Sequence, residues 1–271
     1  TKSVVSMLVG IAVSEGAIKD LDAPVLDYFL EYKDLQTDAR RTISIRDMLS
    51  MTSGLHWSEL TIPYTDPRNS EVAMYRAKDP YLYTLSQAID TPAGDRWNYS
   101  GGDVAVVAAI LTRAVKMPLE TYAQLKIFGP MNIRFEWSRV QGIALADAGL
   151  RLTPRDMAKL GVMMQNGGRW QGKQVVPESW VALATSPHAR VGRDSACGMK
   201  YGYFVWLGPG CETTPHAPWF AGIGNGGQRI WVVPGRDLVI VSTAGLYTSP
   251  TQVTVATGLL KEVLAAVPDS P

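Results

Sequence analysis

Three stretches of the chain carry residue types suited to proton transfer and to holding a substrate carbonyl. Thr1-Lys2 opens a run with Val4, Val5, Leu8, Ile11 and Ala12 at helical spacing, so a lysine stands in the first turn of a crowded apolar helix. Burial disfavours an ammonium and lowers its pKa toward neutrality, the condition in which lysine serves as a general base. The structural alternative is a lysine that snorkels from an exposed helix end. Tyr99 follows the turn-rich Pro92-Ala-Gly-Asp-Arg-Trp97 and precedes another helix, in Asn98-Tyr99-Ser100-Gly101. Its phenol can relay a proton where a cation favours phenolate, or it can pack its ring and bond its hydroxyl. The third stretch, Gly222-Ile-Gly-Asn-Gly-Gly-Gln228, is glycine-rich for a strand. It marks either a bulge or a ligand approaching backbone N–H groups.

The elements that must position these residues are readable in outline. The first helix, over 3–15, stops at Gly16 and carries a stripe of small residues, Ser3, Ser6, Gly10 and Ser14, which suits close helix neighbours. Ser44 is the expected cap of a short helix ending near Thr52-Ser53-Gly54-Leu55, and residues 56–70, with Pro63 and Pro67, read as a surface loop. Helical patterns resume over 71–77, 81–89 and 102–115, and Pro154 and Pro177 each start a further helix. Beyond about residue 198 the pattern becomes strand-like: 201–207, 219–223, and a hairpin of 229–233 and 238–243 around Pro234-Gly-Arg-Asp. A last amphipathic helix over 251–264 covers one sheet face. The expected fold class is α+β, with a mostly helical lobe over 1–195 and a sheet lobe with a C-terminal helix over 196–271.

Composition narrows the partners. The 271 residues are 46% apolar, enough for a large core, and 26 basic against 25 acidic side chains give a net charge of +1. Without a basic run or an aromatic-basic stripe, nucleic acid is not the expected partner, and a small molecule is. No stretch approaches the roughly 18 apolar residues of a membrane span. Cys197 and Cys211 lack metal-ligand spacing and are either two thiols or one disulfide. His56, His188 and His216 fall in no metal motif, and no Gly-x-Ser-x-Gly supports a Ser-His-Asp triad, so neither a metal nor a cofactor is expected.

Taken together the stretches resemble the penicillin-recognising serine hydrolases, in the branch of class C β-lactamases, family VIII carboxylesterases and 6-aminohexanoate-dimer hydrolases. Thr1-Lys2-Ser3-Val4-Val5-Ser6 looks like the second half of that family's Ser-x-Thr-Lys helix start. Further similar stretches are Ile43-Ser-Ile-Arg-Asp-Met-Leu-Ser-Met-Thr-Ser-Gly-Leu55, Pro92-Ala-Gly-Asp-Arg-Trp-Asn-Tyr-Ser100, Leu152-Thr-Pro-Arg-Asp-Met-Ala158, Asn166-Gly-Gly-Arg-Trp-Gln-Gly172 and Gly224-Asn-Gly-Gly-Gln-Arg229. The resemblance implies a β-lactamase-like fold, an antiparallel sheet covered by helices beside an all-α lobe, with the active site between them. It implies acyl-enzyme hydrolysis of an ester, amide or lactam. Lys2 matches the motif base and Tyr99 the proton shuttle. Asn225, Gly226 and Gly227 match the substrate strand, with the N–H of Gln228 as an oxyanion donor. Trp97, Ser100 and Trp206 are candidate pocket residues.

The chain departs from the family pattern in three places. Gly101 stands where Tyr-x-Asn puts asparagine, and Asn225 where a lysine or histidine would hold a substrate carboxylate. Both favour an esterase or linear-amide hydrolase over a β-lactamase or D-amino-acid peptidase. The motif serine would lie two positions before Thr1; neither Ser3 nor Ser6 can replace it, because neither has a lysine three residues later. The expectation is therefore a serine hydrolase whose upstream segment lies outside this chain. The alternatives are an N-terminal threonine nucleophile at Thr1 and a catalytically inactive binding module.

Overall fold

A computed structural model describes residues 1–192, 198–208, 218–247 and 249–267. Cys197, Cys211 and His216 lie outside the described residues, and with them the choice between thiols and disulfide. In chain order the helices are α1 (Lys2–Ser14), α2 (Asp38–Arg41), α3 (Ile45–Leu49), α4 (Ser70–Arg76), α5 (Pro80–Leu85), α6 (Gly101–Val115), α7 (Leu119–Ala123), α8 (Pro154–Gln165), α9 (Glu178–Ala184) and α10 (Gln252–Ala266).

Two of them have no polar face along most of their length. α1 buries every residue from Val4 to Ala12 and α6 every residue from Gly101 to Leu111. Helices of that kind must be enclosed, and the two pack on each other with α3, α5 and α9 around them. The side-chain caps are local: Ser44 forms a capping box with Asp47, Asn69 caps α4, Asp79 caps α5, Ser100 caps α6 and Thr153 caps α8. Exposed ion pairs such as Arg41–Asp27 and Arg46–Asp22 contribute at most about 1 kcal/mol each. The enclosed helix pair outweighs them, since each large buried apolar side chain is worth about 1.5–3 kcal/mol.

Four short strands follow α7: β1 (Phe135–Trp137), β2 (Arg139–Val140), β3 (Ile143–Ala144) and β4 (Leu150–Leu152). β1 pairs with β4 and β2 with β3, all antiparallel, and a further small hairpin joins β5 (Arg169–Trp170) to β6 (Lys173–Gln174). Among the described residues the main sheet has six antiparallel strands in the order β12-β11-β10-β9-β8-β7. Its members are β7 (Ala189–Arg190), β8 (Lys200–Tyr201), β9 (Trp206–Leu207), β10 (Phe220–Gly224), β11 (Gln228–Val233) and β12 (Leu238–Ser242). Period-two alternation divides its faces: Trp231, Val233 and Ile240 pack with Ala256, Leu260 and Leu264 of α10, while Val232 and Phe220 join the main core. α8 lies against β11 and β12.

Local readings change in four places. The stretch 201–207 is not one strand but the hairpin β8–β9, turned by Gly202 N–H to Val205 O at 2.8 Å with Phe204 at φ 54°. The helix read over 81–89 ends at Leu85. Pro177 occupies the cap position of α9 rather than its first turn. Residues 56–69 form the expected surface loop, but one with buried anchors: Trp57, Glu59 and Asn69 are 5%, 2% and 0% exposed, and Asn69 Nδ2 donates to the carbonyls of Glu59 and Ile62. No helix of the described residues is long and apolar enough to cross a membrane.

Candidate active site

A cavity of about 630 Å³ opens between the first turn of α1, the N-terminus of α6, residues 145–152 and the strands β10 and β11. Lys2 reaches it as the first residue of α1, and Tyr99 as the residue before the Ser100 cap of α6. Packing of the two helices brings them together: Lys2 Nζ lies 4.9 Å from the Tyr99 ring centroid and donates to the Asp147 carbonyl at 2.8 Å. Trp206 joins Tyr99 in lining the cavity, at 5.7 Å between ring centroids. Trp97 stands outside the lining, packed against Tyr99, Tyr201 and Trp206 as their support. Ser100 is no pocket residue either. Its hydroxyl accepts from Asp103 N–H at 3.0 Å and donates to Asp103 Oδ1 at 3.2 Å, so it is spent on the cap.

The ionisation of Lys2 reverses the sequence expectation. Burial is the largest single influence and pulls its pKa down, but the acidic groups Tyr99, Asp147, Glu59 and Glu71, each raising it when ionised, together outweigh it. The net shift is upward, so Lys2 rests as an ammonium. Burial pushes the Tyr99 phenol up, and the charge and hydrogen bond of Lys2 only partly oppose it. The resting pair is ammonium and phenol.

The opposing charges are carboxylates that sequence reasoning did not assign to the site. Glu59 Oε2 accepts from Trp57 Nε1 at 2.8 Å and from the Gly101 N–H at 2.6 Å, which sets an anion on the N-terminus of α6. Asp147 Oδ1 accepts from the Tyr75 hydroxyl. Asp147 Oδ2 is buried and receives no bond from a conventional donor. A proton on Glu71 supplies one: burial, then the hydrogen bond and charge of Asp147, hold Glu71 far above the usual carboxylate range. The three groups converge on Gly101, where a Cβ would lie 2.8 Å from Asp147 Oδ2, 3.1 Å from Glu59 Oε2 and 3.2 Å from Glu71 Oε1. The asparagine of the family pattern has no room there. Of the three, only Asp147 left a signal in sequence, as a single acid in the apolar run 143–150; Glu71 passes for an ordinary first-turn acid of α4.

A pH dependence of stability follows from this pair. Above its ordinary 4.5, Glu71 takes up a proton on folding, so the folded state binds more protons than the unfolded one and stability falls as pH rises. Glu71→Gln needs no proton. Its calorimetric Tm should therefore decline less between about pH 6 and about pH 9 than that of the wild type. Equal slopes would mean that Glu71 folds as a carboxylate.

The glycine-rich stretch is placed differently from the sequence reading. Asn225, Gly226 and Gly227 form the turn between β10 and β11, not a strand, with φ 82° and 97° at the two glycines. Asn225 is exposed and lines the cavity; Gly226 is tied from behind, its N–H donating to Gln252 Oε1 at 2.7 Å. Gln228 also lines the cavity, and its side chain holds the Ala244 carbonyl beside Tyr247. Buried Arg229 donates to the carbonyls of Gly224 and Gln228, bracing the turn. The strand edge that faces α1 belongs to β10. β9 pairs with it only at Phe220 and Ala221, leaving the edge open at Gly222–Gly224. Gly208 N–H donates to Trp219 O, so strand alternation turns the amides of 219, 221 and 223 to that side. The Ile223 N–H therefore points along the open edge, next to Ser3 and Phe204, whose hydroxyl and carbonyl are bonded at 2.7 Å.

The Beta-lactamase family profile matches residues 1–263. A curated 6-aminohexanoate-dimer hydrolase of Paenarthrobacter ureafaciens is 28% identical over 262 residues, which cover 89% of this chain and 63% of that protein. The chain thus spans less than two thirds of that relative's length. Among solved structures, a candidate 6-aminohexanoate-dimer hydrolase of Bacillus anthracis aligns with a TM-score of 0.80 at 18% identity, over 99% of this chain and 72% of that one. A D-stereospecific amidohydrolase of Streptomyces sp. aligns at 0.70 and 16% identity, over 94% and 84%. At these identities the structures speak for the fold, which is β-lactamase-like, and the profile speaks for descent: the chain belongs to the Beta-lactamase family.

Proposed function

We propose that this chain carries the proton-transfer and oxyanion parts of a serine hydrolase that cleaves carboxylic esters or linear amides through an acyl-enzyme. The observation that carries this reading is the meeting of Lys2 and Tyr99 at the end of α1, facing the open edge of β10. The nucleophile it serves is the serine that the family motif sets one helical turn before Lys2. Because the resting pair is ammonium and phenol, one proton must leave it before it can act as base. The pair then takes the serine proton as the serine oxygen bonds to the substrate carbonyl carbon. The carbonyl π electrons move to oxygen, held by the Ile223 N–H in place of the Gln228 donor expected from sequence. Collapse expels the alcohol or amine, which takes the proton from Tyr99. Water repeats the sequence: its proton goes to the pair, the acyl–serine bond breaks and serine is reprotonated.

Two features favour esters and linear amides over β-lactams. Carboxylates fill the space of the missing asparagine at Gly101, and exposed Asn225 offers no cation. The 6-aminohexanoate-dimer hydrolase relative adds weight to linear amides. The test is a panel on the full-length product: a fluorophosphonate probe, a short-chain nitrophenyl ester, a linear amide dimer and a chromogenic cephalosporin. Labelling with turnover of ester or amide is expected. Absence of labelling and of all turnover would leave a binding module, and preferential cephalosporin turnover would overturn the substrate assignment.

A further inference from the structure

We infer that a second cavity, walled off from the catalytic one by Tyr75 and Asp147, is a binding site for a neutral, apolar molecule of one or two rings. Binding there does not depend on the hydrolase reading.

The cavity measures about 470 Å³. That lies within the range of about 300–1,000 Å³ of small-molecule sites. Its floor is one stripe of α6, Ala105, Ala108 and Thr112, whose spacing puts three small side chains on one face and leaves the space above them open. α4 and α5 pack against α6 and bring Tyr75, Pro80 and Tyr81 to one wall. The β2–β3 hairpin crosses the other side, turning through Gln141 and Gly142 at φ 51° and 80°. It is tied down on both flanks: Gln141 Nε2 donates to the carbonyls of Tyr75 and Ala77 at 3.2 and 3.3 Å, and Arg139 pairs with Glu120 of α7.

Alternate residues after the hairpin divide the two cavities. Ala144 and Ala146 line this one, Leu145 and Asp147 the catalytic one. Tyr75 also lines this one, and its hydroxyl donates to Asp147 Oδ1, which bonds the partition together. A molecule bound here is therefore not the far end of a substrate held at Lys2.

The chemistry of the occupant follows from the polar side chains, which are already engaged. Thr112 donates to the Ala109 carbonyl at 3.0 Å, and Arg113 to the Tyr28 carbonyl and to Glu31, besides the bonds of Tyr75, Gln141, Arg139 and Glu120. Lys116, the remaining charged side chain of the lining, is exposed. Water inside finds few of the roughly two to four polar partners that hold it, and a charge carried inside would stand unpaired. An uncharged ring instead meets Ala108, Pro80, the Tyr81 ring and the thioether of Met117, which suits an aromatic edge.

Benzophenone, neutral and two-ringed, is the probe, because light drives it into adjacent C–H bonds and those of methionine react readily. The full-length product irradiated with it should carry a saturable adduct at Met117, mapped by peptide mass spectrometry, whereas an adduct at Met157 marks the catalytic cavity. Ala108→Phe puts a ring into the space above the floor and should lower the Met117 adduct roughly 10-fold at equal probe concentration. Benzophenone-4,4′-dicarboxylate has to carry one of its charges inside, so it should label Met117 roughly 10-fold less than benzophenone. An adduct at Met157 without one at Met117, labelling of Met117 that does not saturate, equal labelling by the dicarboxylate, or equal labelling of a folded Ala108→Phe overturns the assignment. If Ala108→Phe does not fold, the wild-type map and the dicarboxylate comparison decide it.

Discussion

Tyr99→Phe is expected to lower kcat/KM for a short-chain nitrophenyl ester by about 10²- to 10⁴-fold, the range of a lost general acid–base group. The ring remains, and with it the contacts to supporting Trp97 and to Trp206, which lines the cavity, so folding and KM should change little. What disappears is the one hydroxyl of the Lys2–Tyr99 pair that can pass a proton to the leaving group. The loss should therefore depend on the leaving group. An alkyl ester or amide, whose leaving group must be protonated, should suffer more than a nitrophenyl ester, whose leaving group departs as an anion. Equal activity of Tyr99→Phe and the wild type on both substrates would remove Tyr99 from the mechanism, whatever its proximity to Lys2.

The parts of this site that were legible in the sequence are those written in local chemistry. Ser44 and Thr153 announce their helices through cap spacing, α1 and α6 through their apolar periods, and Lys2 and Tyr99 stand next to helix starts where their elements can be recognised. The parts that were not legible depend on segments distant in the chain. Glu59 sits in an aperiodic loop, and its burial follows only when the Gly101 N–H and Trp57 meet it. The turn at Tyr203, Phe204 and Val205 uses none of the usual turn residues in its centre, so an apolar run conceals a hairpin. The sign of the Lys2 shift was misread for the same reason. Burial can be guessed from one helix, whereas the four acidic groups that oppose it arrive from 59, 71, 99 and 147. The proposed oxyanion donor is Ile223 and not Gln228 because a glycine-rich string does not say where the turn falls, whereas strand pairing leaves the β10 edge open at Gly222–Gly224.

Those distant charges make the pH–rate profile a sensitive probe of the site. With Lys2 and Tyr99 both shifted upward, kcat/KM should rise with pH through neutrality as the pair gives up its proton. Burial, then the hydrogen bond and charge of Asp147, hold the Glu71 carboxyl far above its ordinary range, so the pair presents its negative charge to Lys2 through Asp147. Glu71→Gln leaves that charge on Asp147. Asp147→Asn removes it, because burial, the largest influence on Glu71, remains and keeps that carboxyl neutral, while the new amide oxygen still accepts from Tyr75. Glu71→Gln should keep the acidic limb of the profile near its wild-type position. Asp147→Asn and the double variant both remove the charge. An anion raises the pKa of a neighbouring ammonium, so its removal lowers that of Lys2, and the acidic limb should move toward lower pH by about one unit or more in both. An Asp147→Asn limb that stays in place while that of the double variant moves would mean that Glu71 ionises once its anionic neighbour is gone. A double variant that leaves the limb in place would mean that Glu59 and Tyr99 suffice to hold the ammonium, and that the acid pair serves the packing around Gly101 rather than the proton balance of the site.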